Sequence, residues 1–120
     1  MQITQAELEV MKALWRKPGV GASEVAEALA GEQDWSTKTI KTLLSRLVEK
    51  GALATKQDGR RFLYTPTLSE SAYQSKAAGR FIDTVFDGRA APLVAHLADG
   101  RGLTEDDIQE LESLIERLKK

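Results

Sequence analysis

The chain has 120 residues, 42% of them hydrophobic and 29% charged, with three Pro and a formal net charge of −1. That is enough to bury one domain's core, and it excludes wholesale disorder. Cysteine is absent, which removes disulfides, thiol catalysis, iron–sulfur clusters and thiolate zinc sites together. The opening MQITQAELEVM lacks a signal-peptide pattern, and no run reaches the roughly 18 apolar residues needed to span a bilayer; no membrane insertion and a cytoplasmic location are expected.

Thr4-Gln5-Ala6-Glu7 reads as a capping box that starts a first helix, with Ile3 and Leu8 placed for a hydrophobic staple. Leu8, Met11, Leu14 and Trp15 recur at spacings of three and four, so that face should be buried, and Lys17-Pro18-Gly19 ends the helix. A second helix is expected over residues 22–30, with Val25, Ala26 and Leu29 inward and Gly31 as its stop. Ser36 is a good N-cap for a third helix over residues 37–50, closed by Gly51. The second and third helices form a helix-turn-helix candidate.

After Ala52 the period changes to that of strands. Residues 53–56 and 60–65 around a Gln57-Asp58-Gly59 turn read as a hairpin, with Phe62 and Tyr64 on one face and Arg61, Leu63 and Thr65 on the other. Three helices and a two-stranded ribbon give a winged helix-turn-helix domain over residues 1–67. The remainder, 68–120, is read as helical: residues 69–87, residues 90–98 with Pro92 in the first turn, and a last helix opened by Thr104 and Asp107. The fold class expected is mainly α with a small β-hairpin.

Charge is unevenly spread. Between residues 36 and 61, Lys38, Lys41, Arg46, Lys50, Lys56, Arg60 and Arg61 face only Glu49 and Asp58, a local excess of +5 in an acidic protein. At about 100° per residue, Ile40, Leu43, Leu44, Leu47 and Val48 form the buried stripe of the third helix. Thr37, Lys38, Thr39, Lys41, Thr42, Ser45 and Arg46 lie opposite or beside that stripe. Thr and Ser are mediocre helix formers, and a face serving only solubility would use Glu, Lys and Gln. Hydroxyls, Thr methyls and cations at the N-terminal half of a helix suit a DNA major groove, so these residues are candidate DNA contacts. Arg60 and Arg61 join them from the wing, although charge on an edge strand also protects it from aggregation.

Three short amphipathic helices in about fifty residues are too few to fill a core alone. They either fold back on the winged domain or pair with a second copy. The apolar load of Phe81, Ile82, Val85, Phe86, Leu93, Val94, Leu97, Ile108, Leu111, Ile115 and Leu118 favours a homodimer interface. Chemistry of other kinds finds little support. His96 is the sole histidine, Glu105, Asp106 and Asp107 suit a helix N-terminus, and the glycines are explained by caps and turns. No catalytic, metal or cofactor site is expected, and an enzyme is disfavoured. A winged module that binds an acidic protein instead of DNA is the alternative.

The blocks ITQAELEVMKALW (3–15), EVAEAL (24–29), WSTKTIKTLLSRLVEKGAL (35–53), GRRFLYTP (59–66) and, more weakly, LTEDDIQELESLIERLKK (103–120) resemble the penicillinase repressor family (BlaI/MecI/CopY type). The resemblance implies a dimeric transcriptional repressor on a dyad double-stranded DNA operator with TACA/TGTA-like half-sites, the helix at 37–50 entering the major groove. It also implies antibiotic-resistance or cell-wall-stress genes as targets, and in drug-resistance members a membrane-bound sensor protease system that leads to repressor cleavage. Two departures stand out: the C-terminal cysteines of the copper-responsive branch are missing, and Val94-Ala95-His96-Leu97 stands where an Asn-Phe cleavage dipeptide is found in staphylococcal relatives.

Overall fold

The computed structural model of the chain describes residues 2–120. Its elements are α1 (Gln5–Arg16), α2 (Ala22–Leu29), α3 (Thr37–Glu49), β1 (Leu53–Asp58), β2 (Arg61–Pro66), α4 (Glu70–Phe86), α5 (Ala90–Gly100) and α6 (Glu105–Leu118). This is the helical architecture with one antiparallel hairpin expected from the sequence.

Local chemistry accounts for the helix ends. The Thr4 hydroxyl accepts from the Glu7 N–H at 3.2 Å and the Glu7 carboxylate accepts from the Thr4 N–H at 2.9 Å, so the capping box forms as expected. At the other end of α3, Gly51 takes φ +82°, its N–H reaches the Val48 carbonyl and the Ala52 N–H reaches that of Leu47. That pair of bonds is a Schellman closure, which turns the chain directly into β1.

One apolar core joins α1, α2, α3 and the start of β1: Val10, Met11, Ala13, Leu14, Val25, Leu29, Ile40, Leu43, Leu44, Leu47, Ala52 and Leu53. The expected stripe of α3 is thus in place, with Val48 packed at its edge. In α1 the buried face is wider than expected. Val10 and Glu7 are fully buried, while Leu8 and Trp15 remain half-exposed, because α1 is covered by both other helices and the hairpin. The Trp15 indole N–H donates to the Leu68 carbonyl at 3.0 Å and its ring meets Tyr73 with centroids 5.6 Å apart.

The hairpin differs from expectation at its tip. Pairing runs from Leu53 with Pro66 out to Asp58 with Arg61, so the loop is Gly59-Arg60 alone. Gly59 has φ +64° and Arg60 is not in the positive region. Glycine at the first loop position with positive φ is the requirement of a II′ turn, which matches strand twist. Hence Asp58 stays paired and Arg60 moves from strand to tip. A further bridge joins Val20 to β2: the Tyr64 N–H donates to the Val20 carbonyl at 2.8 Å, and the Gly19 N–H to the Tyr64 carbonyl at 2.9 Å.

The chain divides into two compact units within α4, the first ending at Gln74 and the second comprising Ser75–Lys120. In the second, Phe86 meets Phe81 and His96 with ring centroids 5.9 and 5.7 Å apart. Helix α5 continues to Gly100, two residues further than expected, and stops at Gly102 with φ +78°. The Thr104 and Asp107 capping box opens α6. No residue of α5 or α6 is buried.

Candidate nucleic-acid interface

Burial of Ile40, Leu43, Leu44 and Leu47 sets the rotation of α3, and the opposite side faces outward. Thr37, Lys38, Thr39, Lys41, Thr42, Ser45 and Arg46 are all exposed. Five of them, Thr37, Lys38, Lys41, Thr42 and Ser45, line one open depression along the helix. The hydroxyls are held by local bonds: Ser36 accepts from the Thr39 N–H at 3.1 Å and lies 3.1 Å from the Thr39 hydroxyl, while Thr42 Oγ1 donates to the Lys38 carbonyl at 3.1 Å. With its proton engaged, the Thr42 oxygen presents acceptor capacity outward.

Electrostatics set this face apart. Among the described residues, none of Lys38, Lys41, Arg46 and Arg60 is in an ion pair. The first turn of α3, like that of α5, carries no acid, whereas α1, α2, α4 and α6 each carry at least one there. An uncompensated helix N-terminus beside unpaired cations attracts anions.

The two wing arginines part company. Arg60 occupies the loop tip and is exposed. Arg61 Nη1 donates instead to both oxygens of Glu24 in α2, at 2.9 and 3.1 Å. Glu24 also accepts from the Gly21 N–H at 3.3 Å; that bond above all, joined by its own backbone N–H and by Arg61, holds its carboxyl below the ordinary range against the opposing effect of burial. A Cβ on Gly21 would stand 3.3 Å from the Phe62 carbonyl oxygen and 3.4 Å from Arg61 Nη1, so any larger residue would push the wing outward by a few tenths of an ångström.

Lys50, counted in the basic window, serves the fold: its ammonium donates to the buried Glu7 carboxylate and to the Gln2 carbonyl. The sequence reading missed this pair and the Glu24–Arg61 pair alike. Both join residues far apart in the chain, and no local pattern announces them.

The predicted interface residues of the second unit are unevenly covered. Phe81, Val85, Ile108, Ile115 and Leu118 are exposed, and Ile82, Phe86, Leu93, Val94, Leu97 and Leu111 are half-buried. Val94, Leu97 and Leu111 line a groove between α5 and α6 with Leu103 and Leu114. Leu114 escaped the sequence reading because it stands beside the stripe of Ile108, Leu111, Ile115 and Leu118. Among the described residues no cluster of metal-ligating side chains occurs and no helix is long and apolar enough to cross a membrane.

Comparison with known proteins agrees with this arrangement. The family model described as penicillinase repressor matches residues 3–117. The penicillinase repressor of Bacillus licheniformis is 37% identical over 118 residues, covering 98% of this chain and 92% of that protein. The methicillin resistance regulatory protein MecI of Staphylococcus aureus is 34% identical over 116 residues, covering 97% and 94%. Among solved structures, monomeric Bacillus licheniformis BlaI in complex with the blaP half-operator is 48% identical, with a TM-score of 0.53 over 61% of this chain and 89% of that one. With the match running through the helix-turn-helix, the wing and the C-terminal helices, the chain belongs to the penicillinase repressor family.

Proposed function

We propose that this protein is a transcriptional repressor that acts as a homodimer, each protomer placing α3 in the major groove of one half of a two-fold operator. The observation that carries the reading is the outer face of α3: hydroxyls and unpaired cations on a helix whose first turn lacks acid. Lys41 and Arg46 suit phosphates, and Lys38 and Thr42 suit base edges, since an α-helix fits that groove and its N-terminal half reaches deepest. In this role residues 1–67 form the DNA-binding domain. Arg60 at the wing tip adds a contact to flanking backbone or the minor groove. The half-operator complex of the Bacillus licheniformis relative supports DNA as the partner.

The apolar surface left open by the helices of residues 68–120, with Val85 56% and Leu118 74% exposed, supports homodimerisation there. Two copies joined there present two recognition helices, which reads a palindrome with half-sites about one helical turn apart. The test is to sequence genomic fragments retained by the purified protein and to weigh the complex. A two-fold motif bound by two chains is expected; fragments without a shared motif, or one chain per site, would contradict the reading.

A further inference from the structure

The wing is fastened to the helix-turn-helix at two successive points. Midway along the ribbon, where Tyr64 pairs with Thr55, Val20 bridges to Tyr64. Further out, Arg61 is tied to Glu24 in α2, over a backbone approach that Gly21 permits. Beyond Arg61 only the two-residue loop Gly59-Arg60 remains. The Glu24–Arg61 pair is therefore the outermost fastening, and Arg60 is the next residue along the chain.

Resting on the DNA-binding reading above, we infer that Arg61 and Glu24 act as positioning residues: the pair fixes the angle of the wing so that Arg60 meets the DNA backbone, and Arg61 is itself not a phosphate contact. Three features support this. Guanidinium Nη1 lies within hydrogen-bond distance of both carboxylate oxygens, so the wing strand and α2 are joined through one charge-assisted contact. Glu24 is itself held by the Gly21 N–H, so the anchor point is rigid. An exposed pair of this kind adds little to folding, so its value lies in orientation.

The inference makes a prediction opposite in sign to plain electrostatics. Deleting an acid beside a DNA-binding surface ordinarily tightens binding, and would do so doubly here by freeing Arg61 for phosphate. A positioning role requires Glu24→Ala to weaken binding instead, about fivefold at fixed salt, with Arg61→Ala and the double variant showing the same loss and no more. The dependence of affinity on salt should keep the wild-type slope in Glu24→Ala, and Arg60→Ala should lose much of its effect in that background.

Affinity of the full chain for an operator duplex selected by the wild type, measured from low to moderate salt, tests this. Glu24→Gln keeps an acceptor for the Gly21 N–H and repeats the test if Glu24→Ala lowers the melting temperature. Weaker binding by the Glu24 variants and non-additive losses would support positioning. Tighter binding, or a salt slope that steepens in Glu24→Ala and falls by about one in Arg61→Ala, would make Arg61 a phosphate ligand and overturn it. Failure of the wild type to prefer any duplex refutes the DNA-binding reading itself, a separate result.

Discussion

Lys50, at the C-cap of α3, donates its ammonium hydrogen to Glu7, a carboxylate with no exposed surface in the first turn of α1. Helix α3 is thus anchored at its far end by an ion pair whose acidic half also caps α1 through Thr4. One oxygen of Glu7 has no partner among the described residues, so the carboxylate depends on Lys50 and Thr4 for its charge.

That dependence has a definite pH signature. Burial alone raises the Glu7 carboxyl, but the Lys50 and Thr4 hydrogen bonds and the Lys50 charge outweigh it and hold its pKa below the ordinary value. A carboxyl depressed on folding contributes stability above its unfolded pKa, and that contribution is lost as pH falls through the lower folded value. Lys50→Met removes the main compensation. It should destabilise the protein by about 2 kcal/mol at pH 7, less than for a fully buried pair because Lys50 is a third exposed. In urea melts the gap between wild type and variant should narrow as pH falls through the carboxylate range, because protonation removes the charge that Lys50 compensates.

On the outer face of α3, Lys38→Ala and Thr42→Ala should leave the melting temperature unchanged or slightly raised, since Ala is the better helix former and both side chains are exposed. Binding should weaken for different reasons. Lys38→Ala as a phosphate contact lowers the salt slope by about one, whereas as a guanine reader it relaxes specificity at one position. Thr42→Ala should cost about 1 kcal/mol on the selected operator and almost nothing on random duplex. Titrations of both duplexes at several salt concentrations check this.

How much of this could be read in advance depends on the range of the interaction. The Thr4, Ser36 and Thr104 caps and the Gly51 closure are set by neighbours within a few positions, and each formed where the sequence placed it. The two faces of α3 followed from periodicity alone. Glu7–Lys50 and Glu24–Arg61 were illegible because their partners stand 43 and 37 residues apart, and the capping box already accounted for Glu7. Val20 offered a single bridge, too short for any alternation to signal it. The hairpin tip slipped because Asp-Gly predicts a turn without fixing which residues form its centre.

Gly51→Ala tests the closure that leads α3 into the wing. With φ at +82° a side chain is strained even though nothing crowds it, so a loss of about 1 kcal/mol is expected by chemical denaturation. Operator affinity measured well below the denaturation midpoint should change little.

In the second unit, Val85→Asp and Ile115→Asp place charge on surfaces 56% and 50% exposed. Within one chain such changes cost little. Across a dimer interface they bury an unpaired charge, so sedimentation should show weaker self-association by at least about tenfold, with helical content retained. Half-saturation of the operator should then need a higher protein concentration.

The most direct measurement of the central claim is the affinity of the wild-type chain for its selected operator and for a scrambled duplex of equal length and composition, at one near-physiological salt concentration. A preference of about a thousandfold is expected, which Ala at Lys38, Thr42 and Ser45 together removes while the fold persists. Equal affinity for the two duplexes, or a preference that survives the triple substitution, would contradict recognition by α3.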